Sequence, residues 1–387
     1  MKKCYNFVSH SVEKRMSQYP ESVYWLILIN ESGLRLSRVK PIVQRWCVVE
    51  KRSLGELFEM SPLDLSTTFG LSENEGQRVL TLRGKLEQQA AVLDKWQGQG
   101  IETVLSIDPR YPRRIAETLP SVQQPLVLWA QGALNLLNEP GVAMLGSQAP
   151  DEAGAELIQE LMKTLVAEEI NLVSGYSRGL DRSTFETMLT TAGGHAIAVL
   201  PMGLSAFAQT TSKLSKAVEV GQVVLVSPFA PDTAFQEKLA EARNLLIDHL
   251  ALVLLILQPD EDSQARATAA LNRGVPVLMG GRSGTTTESH RALLNEGALL
   301  LTDAGEVIEV VQQAIIDAAL EEPTAEAAPA PFPLSPEETS GAADDDYSLH
   351  SEEVQPIDSE EALEILSLGG EIPDVLRHRL KKPEEDE

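Results

Sequence analysis

Cysteine is almost missing from this chain. Cys4 and Cys47 are the only two, with no Cys-x-x-Cys pair and no Cys/His ligand spacing. That excludes a disulfide framework and a structural zinc site, and it fits a reducing compartment. Long apolar runs are missing too. Residues 25–29 (Trp-Leu-Ile-Leu-Ile) are followed at once by Asn30, Glu31 and Ser32, with no small-residue cleavage site behind them. They therefore do not read as a secretory signal. Residues 250–257 are apolar throughout but number eight, against about 20 needed to cross a bilayer. A cytoplasmic protein with no membrane association is expected. Walker A and Gly-x-Gly-x-x-Gly motifs are absent. The histidines (His10, His195, His249, His290, His350 and His378) form no Ser-His-Asp or metal-ligand pattern. No catalytic residue, metal or cofactor is assigned.

Positive charge is scarce: Lys and Arg total 32 against 57 Asp and Glu, a net charge of −25. The deficit is uneven. Residues 1–100 carry 14 basic and 11 acidic side chains, residues 101–320 carry 14 and 26, and residues 321–387 carry 4 and 20. A broad basic surface for nucleic acid is excluded, because such binding draws on many phosphate contacts. A small local site is not. Residues 321–387 turn rich in Pro, Ala and Glu, then run through Asp344-Asp345-Asp346. They are read as an acidic disordered tail, with one short helix around residues 360–366. Truncation after Leu320 is expected to leave the fold intact.

The rest can fold: 43% of 387 residues are hydrophobic, enough for two or three domains. Residues 1–100 read as a small helical domain, with segments at 25–28, 41–46, 54–59 and 61–67 and one long helix over 73–97. Ser72 and Glu75 have capping-box spacing for that last helix. Whether the module contacts DNA or only packs on the next domain stays open. From residue 101 to 320 the pattern is a buried strand roughly every 20–30 residues with helical segments between. Strands are expected at 141–145, 171–173, 196–200, 223–226, 251–257, 275–279 and 298–301. This is the βαβ signature of an α/β, doubly wound, mostly parallel sheet covered on both faces.

Two glycine turns stand out, each closing a strand and opening a helix. The first is Gly146-Ser147-Gln148. The second is Ser174-Gly175-Tyr176-Ser177-Arg178-Gly179-Leu180-Asp181, with a helical segment (153–168) between the two. Glycine admits close backbone approach, and free N–H groups at a helix N-terminus attract anions. Both turns fall at the carboxyl edge of the expected sheet, where open α/β folds bind ligands. The bland readings are a tight connection for Gly146 and an N-cap for Asp181. Arg243-Asn244 sits on a helical pattern running from Phe235 onward. It reads either as a phosphate holder whose loss spares stability or as a solvated Arg paired with Glu237 or Glu241. Residues 280–288 (Gly-Gly-Arg-Ser-Gly-Thr-Thr-Thr-Glu), with Gly284 and Thr285, read as a third anion-facing loop or as a plain connector.

Collinear motifs resemble the DNA-processing protein A (Smf/DprA) family over about 200 residues. They are Asp108-Pro109-Arg110-Tyr111-Pro112, residues 125–132, residues 142–148 and residues 174–181. Residues 196–203, Ser227-Pro228, Arg243-Asn244 and the stretch from Gly284-Thr285 to Glu296-Gly297-Ala298 complete the series. The resemblance implies an extended Rossmann-like domain after the helical module. It implies a non-catalytic protein of natural transformation that binds single-stranded DNA without sequence preference, protects incoming strands and passes them to the RecA recombinase. It leaves room for a homodimer. Carried over, the phosphate-facing positions are Gly146, Ser147, Gln148, Ser174, Gly175, Arg178, Gly179, Asp181, Arg243, Asn244, Gly284 and Thr285.

The chain also departs from the family. Gln148 and Leu245 replace arginines, Phe207-Ala208 replaces Tyr-Pro, and Glu261-Asp262-Ser263 replaces Ser-Gly-Ser. No winged-helix module of the kind some relatives carry at the C-terminus is expected, since residues 360–380 are too short for one. Restoring Arg at 148 and 245 is expected to strengthen binding. Two other readings stay open. One is a small-nucleotide sensor or phosphoribohydrolase-like enzyme, since residues 280–288 come within one residue of a Pro-Gly-Gly-x-Gly-Thr-x-x-Glu loop. The other is a scaffold whose acidic tail competes for a basic partner.

Overall fold

The computed structural model describes residues 18–320, apart from 147–149, 151, 211, 258, 281–287 and 302. The expected acidic tail lies outside the described residues. Two compact units divide at Asp94 and Lys95.

The first unit is helical: α1 Glu21–Glu31, α2 Leu36–Val43, α3 Leu54–Leu57, α4 Pro62–Phe69, α5 Glu73–Thr81 and the start of α6 Leu86–Gly98. Ser61 with Asp64 and Ser72 with Glu75 form capping boxes at α4 and α5, each satisfying two backbone donors. Gly70, left-handed at φ 63°, ends α4. Trp25, Trp46 and Phe58 fill the interior. The long helix expected over 73–97 is interrupted. Residues Leu82–Lys85 tighten into a 3₁₀ turn that buries Leu82 and contains Gly84, a poor helix former. Cys47 is buried in this unit; burial, followed by Glu21, pushes its thiol up to about 12, so it is not a reactive thiolate.

The second unit continues with β1 Glu102–Leu105, α7 Arg113–Thr118, β2 Val127–Gly132, β3 Gly141–Leu145, α8 Glu152–Ala167, β4 Asn171–Ser174 and α9 Leu180–Thr190. Then come β5 Ala196–Val199, α10 Leu204–Thr210, α11 Ser215–Glu219, β6 Val223–Ser227, α12 Leu239–Leu250 and β7 Val253–Leu257. It closes with α13 Glu261–Asn272, β8 Val277–Gly280, α14 Glu288–Asn295, β9 Leu299–Leu301 and α15 Ala304–Leu320. The strands form one nine-stranded sheet in the order β1-β2-β6-β5-β4-β3-β7-β8-β9. From β6 to β9 every pairing is parallel, while β1–β2 and β2–β6 are antiparallel. Every residue of β3 to β7 is buried, which is why these strands read as unbroken apolar runs. β1, at an edge and exposed at its first residue, carries no such run and escapes the sequence reading.

The winding sets the ligand edge. The chain steps outward from β3 through β4 and β5 to β6, then crosses back on α12 to start β7 on the other side of β3. The switch point therefore lies between β3 and β7, and α12 is the crossover helix. It starts at Leu239, not at Phe235; residues 235–238 precede it as loop.

The buried end of α12 makes stability sensitive to acid. His249 is 3% exposed, and its Nδ1 lies 2.8 Å from Thr118 Oγ1. That hydroxyl gives its proton to the Arg114 carbonyl (2.6 Å), so Nδ1 is the donor in the pair with Thr118. Burial, then the charges of Arg273 and Arg114, lower the imidazole pKa from 6.5 to about 4. In the unfolded chain His249 takes up a proton near pH 6.5; in the folded chain it does so only near pH 4. Stability from this group is thus complete above about pH 6.5 and is lost as pH falls toward 4, at roughly 1.4 kcal/mol per unit of displacement. Urea titrations at pH 7 and pH 4.5 should show wild type losing more stability than His249→Gln, which keeps a neutral donor. Equal losses would show that His249 does not carry the effect.

Candidate nucleic-acid interface

The loop joining β4 to α9 is built to hold its own shape. Ser174 Oγ accepts the Tyr176 N–H (3.1 Å), and Asp181 Oδ2 accepts the Ser177 N–H (3.4 Å). Tyr176 at φ 52° and Gly179 at φ 79° turn the backbone through the left-handed region. The bland reading of Asp181 as an N-cap does not hold. Gly179 holds that place with no side-chain cap, and Asp181 sits in the first turn of α9.

The loop closes over a cation. Arg243, from the second turn of α12, donates from Nη1 to Ser177 Oγ (2.7 Å), and the same nitrogen lies 3.9 Å from Asp181 Oδ2. The space it occupies exists because Gly175 has no side chain: a Cβ there would collide with Nη1. Arg243 is 8% exposed, and its Nε has no hydrogen-bond partner. Burial pulls the guanidinium below its ordinary pKa while Asp181 pulls it back; it remains a cation. This corrects the second sequence reading of Arg243. It is not a solvated Arg paired with Glu237 or Glu241, and, being buried on Ser177 and near Asp181, it is expected to cost stability when lost.

Two further arginines stand on the same loop and first turn. Arg178 is exposed. Arg182 places its guanidinium 4.9 Å from the centre of the Tyr176 ring, and its Nε is buried without a partner. Tyr176 is wedged against Phe185 and Phe207, with ring centroids 5.1 and 6.2 Å away. Sequence reasoning missed Ser177, Tyr176 and Arg182. The one visible signal was the i, i+4 spacing of Arg178 and Arg182 into the start of a helix. The uncapped amides of α9 and the buried cation beneath them make this edge locally positive in a unit that is acidic overall.

Gly146 ends β3 beside this loop at the switch point. Its bareness is needed for packing, since a Cβ would strike the Leu257 carbonyl and the Leu180 side chain. Asn244 is half-buried on α12, and its side chain makes no hydrogen bond among the described residues. Ser147, Gln148, Gly284 and Thr285 lie outside the described residues. Of the phosphoribohydrolase-like loop only its ends are placed: Gly280 closes β8, and Glu288 opens α14.

A family model for DNA recombination-mediator protein A matches residues 102–312, more than half of the chain. The chain belongs to this family. It is 24% identical to Protein Smf of Synechocystis over 298 residues, 74% of this chain and 72% of that protein. It is 27% identical to DNA processing protein DprA of Streptococcus pneumoniae over 206 residues, 52% of this chain and 71% of that one. The crystal structure of that DprA superposes with a TM-score of 0.57 at 21% identity, over 74% of this chain and 97% of the other, a likeness of fold.

Within this recombination-mediator family fold, three departures in sequence have structural explanations. Leu245 is partly buried and packs against the core of the sheet, so Leu245→Arg would give up an apolar contact there. Phe207 is buried against Tyr176. Asp260 and Ser263 cap α13 reciprocally, and Asp262 Oδ2 lies 3.6 Å from Arg266 Nη1. The acidic group that replaces Ser-Gly-Ser thus serves the helix start. Among the described residues there is no cluster of metal-ligating side chains and no helix long and apolar enough to cross a membrane.

Proposed function

We propose that this protein binds single-stranded DNA, without sequence preference and without turnover, at the carboxyl edge of its parallel sheet. Its role is that of a mediator that protects incoming strands and delivers them to the RecA recombinase during transformation. The observation that carries the reading is the enclosed Arg243 cation beneath the β4–α9 loop, at the uncapped start of α9, with Arg178 and Arg182 beside it. A phosphate meets there a helix N-terminus and fixed guanidinium groups, while the net negative charge elsewhere keeps the footprint small. The names carried by the family and by its relatives, DNA processing and recombination mediation, point the same way.

Gel shifts with a labelled single-stranded oligonucleotide across a salt series test the reading. Retardation at low salt that weakens steeply with added salt is expected. Deleting residues 321–387 removes 20 acidic and 4 basic side chains, and should tighten binding at low salt by relieving repulsion. No retardation of either form at low salt, or release of a base from a nucleoside monophosphate, would overturn the reading.

A further inference from the structure

Among the described residues, the aromatic side chains are buried or half-buried with one exception: Phe235 is 56% exposed. Its loop is not slack. It leaves β6 at Ser227, whose hydroxyl donates to the Met202 carbonyl (2.8 Å) and accepts the Phe229 N–H (3.1 Å). The Gly203 N–H bonds the Thr233 carbonyl (2.8 Å) and the Ala206 N–H bonds the Pro231 carbonyl (3.1 Å), tying the loops after β5 and β6 together. Gly203 is bare because a Cβ would collide with the carbonyls of Ala230 and Pro231. The indole of Trp96 donates to Asp232 (3.0 Å), and Lys95 lies 3.6 Å from the same carboxylate, which partly neutralises the loop's one acid before Phe235. A phenyl ring is thus left more than half exposed, two residues beyond a loop tied down as far as Thr233.

Its place is specific. Phe235 precedes the first residue of α12 by four positions and Arg243 by eight, on the same carboxyl edge as the β4–α9 loop. β6 and β4 are separated only by β5, so the two loops leave the sheet about 10 Å apart. We infer that Phe235 is a stacking platform for a base of the single strand whose phosphate lies over the Arg243 loop. This rests on the single-strand reading above and adds a residue that meets bases rather than phosphates. Every base offers a π face, so such a platform is indifferent to sequence.

The test compares wild type, Phe235→Ala, Phe235→Trp and Arg243→Ala on two fluorescent probes of equal length, oligo(dT) and a strand of abasic sites. Phe235→Ala should bind oligo(dT) about tenfold more weakly, with an unchanged salt slope and an unchanged melting temperature. Phe235→Trp should restore affinity, and on the abasic strand Phe235→Ala should equal wild type. Normal oligo(dT) binding by Phe235→Ala while Arg243→Ala is impaired overturns the platform and leaves the single-strand reading standing. An equal loss on both probes also overturns it, because the ring would then not act through bases. Failure of wild type to bind either probe sinks both.

Discussion

Gly175→Ala should weaken single-strand binding about as much as Arg243→Ala, roughly tenfold or more, and the double variant should be no worse than either alone. A methyl group at 175 would occupy the space of the Arg243 guanidinium and push it off Ser177. Both substitutions therefore remove one thing, a charge-assisted contact of about 1.5–3 kcal/mol. Gly175 has an ordinary backbone conformation, with no left-handed φ, so the methyl acts through crowding alone. Stability should fall in each single variant by about 1–3 kcal/mol, from overpacking in one and from a stranded Asp181 and Ser177 in the other. A double-mutant cycle on Kd checks this. Additive losses would mean that the glycine and the arginine serve the ligand separately.

The largest effect on stability should come from Asp248→Ala. Asp248 on α12 receives Arg266 Nε and Nη2 from α13 in a two-pronged contact, at 3.0 and 2.7 Å. Their side chains are 8% and 15% exposed. Burial pushes the carboxyl up from its usual range while Arg266 pulls it down. Removing the acid leaves the largely buried guanidinium with only the exposed Asp262 as counter-charge, and should cost up to about 3 kcal/mol, the lower end for broken buried pairs. Replacing both partners, as Asp248→Leu with Arg266→Met, should recover most of that loss, because an apolar pair needs no compensation. Urea denaturation of the three variants measures the difference. A double variant as unstable as Asp248→Ala would show that the pair does more than neutralise itself. The clamp also holds the helix that carries Arg243, so single-strand affinity should follow stability in this series.

The sheet was legible because its strands are buried on both faces, which leaves apolar runs such as Val253–Leu257 that no other element explains. Edge strand β1 lacks that burial and left no mark. In the site, the β4–α9 loop and Arg243 were legible as separate motifs, from glycine spacing and from family resemblance. Their contact was not, since it joins residues 68 positions apart (175 and 243) through a void that only the packing of α12 defines. Asp181 looked like a cap because Asp before a helix usually is one; the positive φ of Gly179 moved the helix start and freed the carboxylate for Ser177 and Arg243. Leu245 looked like a lost arginine because sequence spacing does not say which side of a helix faces the core.

The bare backbone at Gly146 and Gly203 bears on how loss-of-function alleles of this gene would read. At both positions any side chain drives into a neighbouring carbonyl, so every missense change damages the protein before any ligand arrives. A phenotypic screen would return these glycines readily, and they would report folding. Alleles at Phe235 and Arg178, both exposed, would be rarer in such a screen and far more informative about what the protein touches.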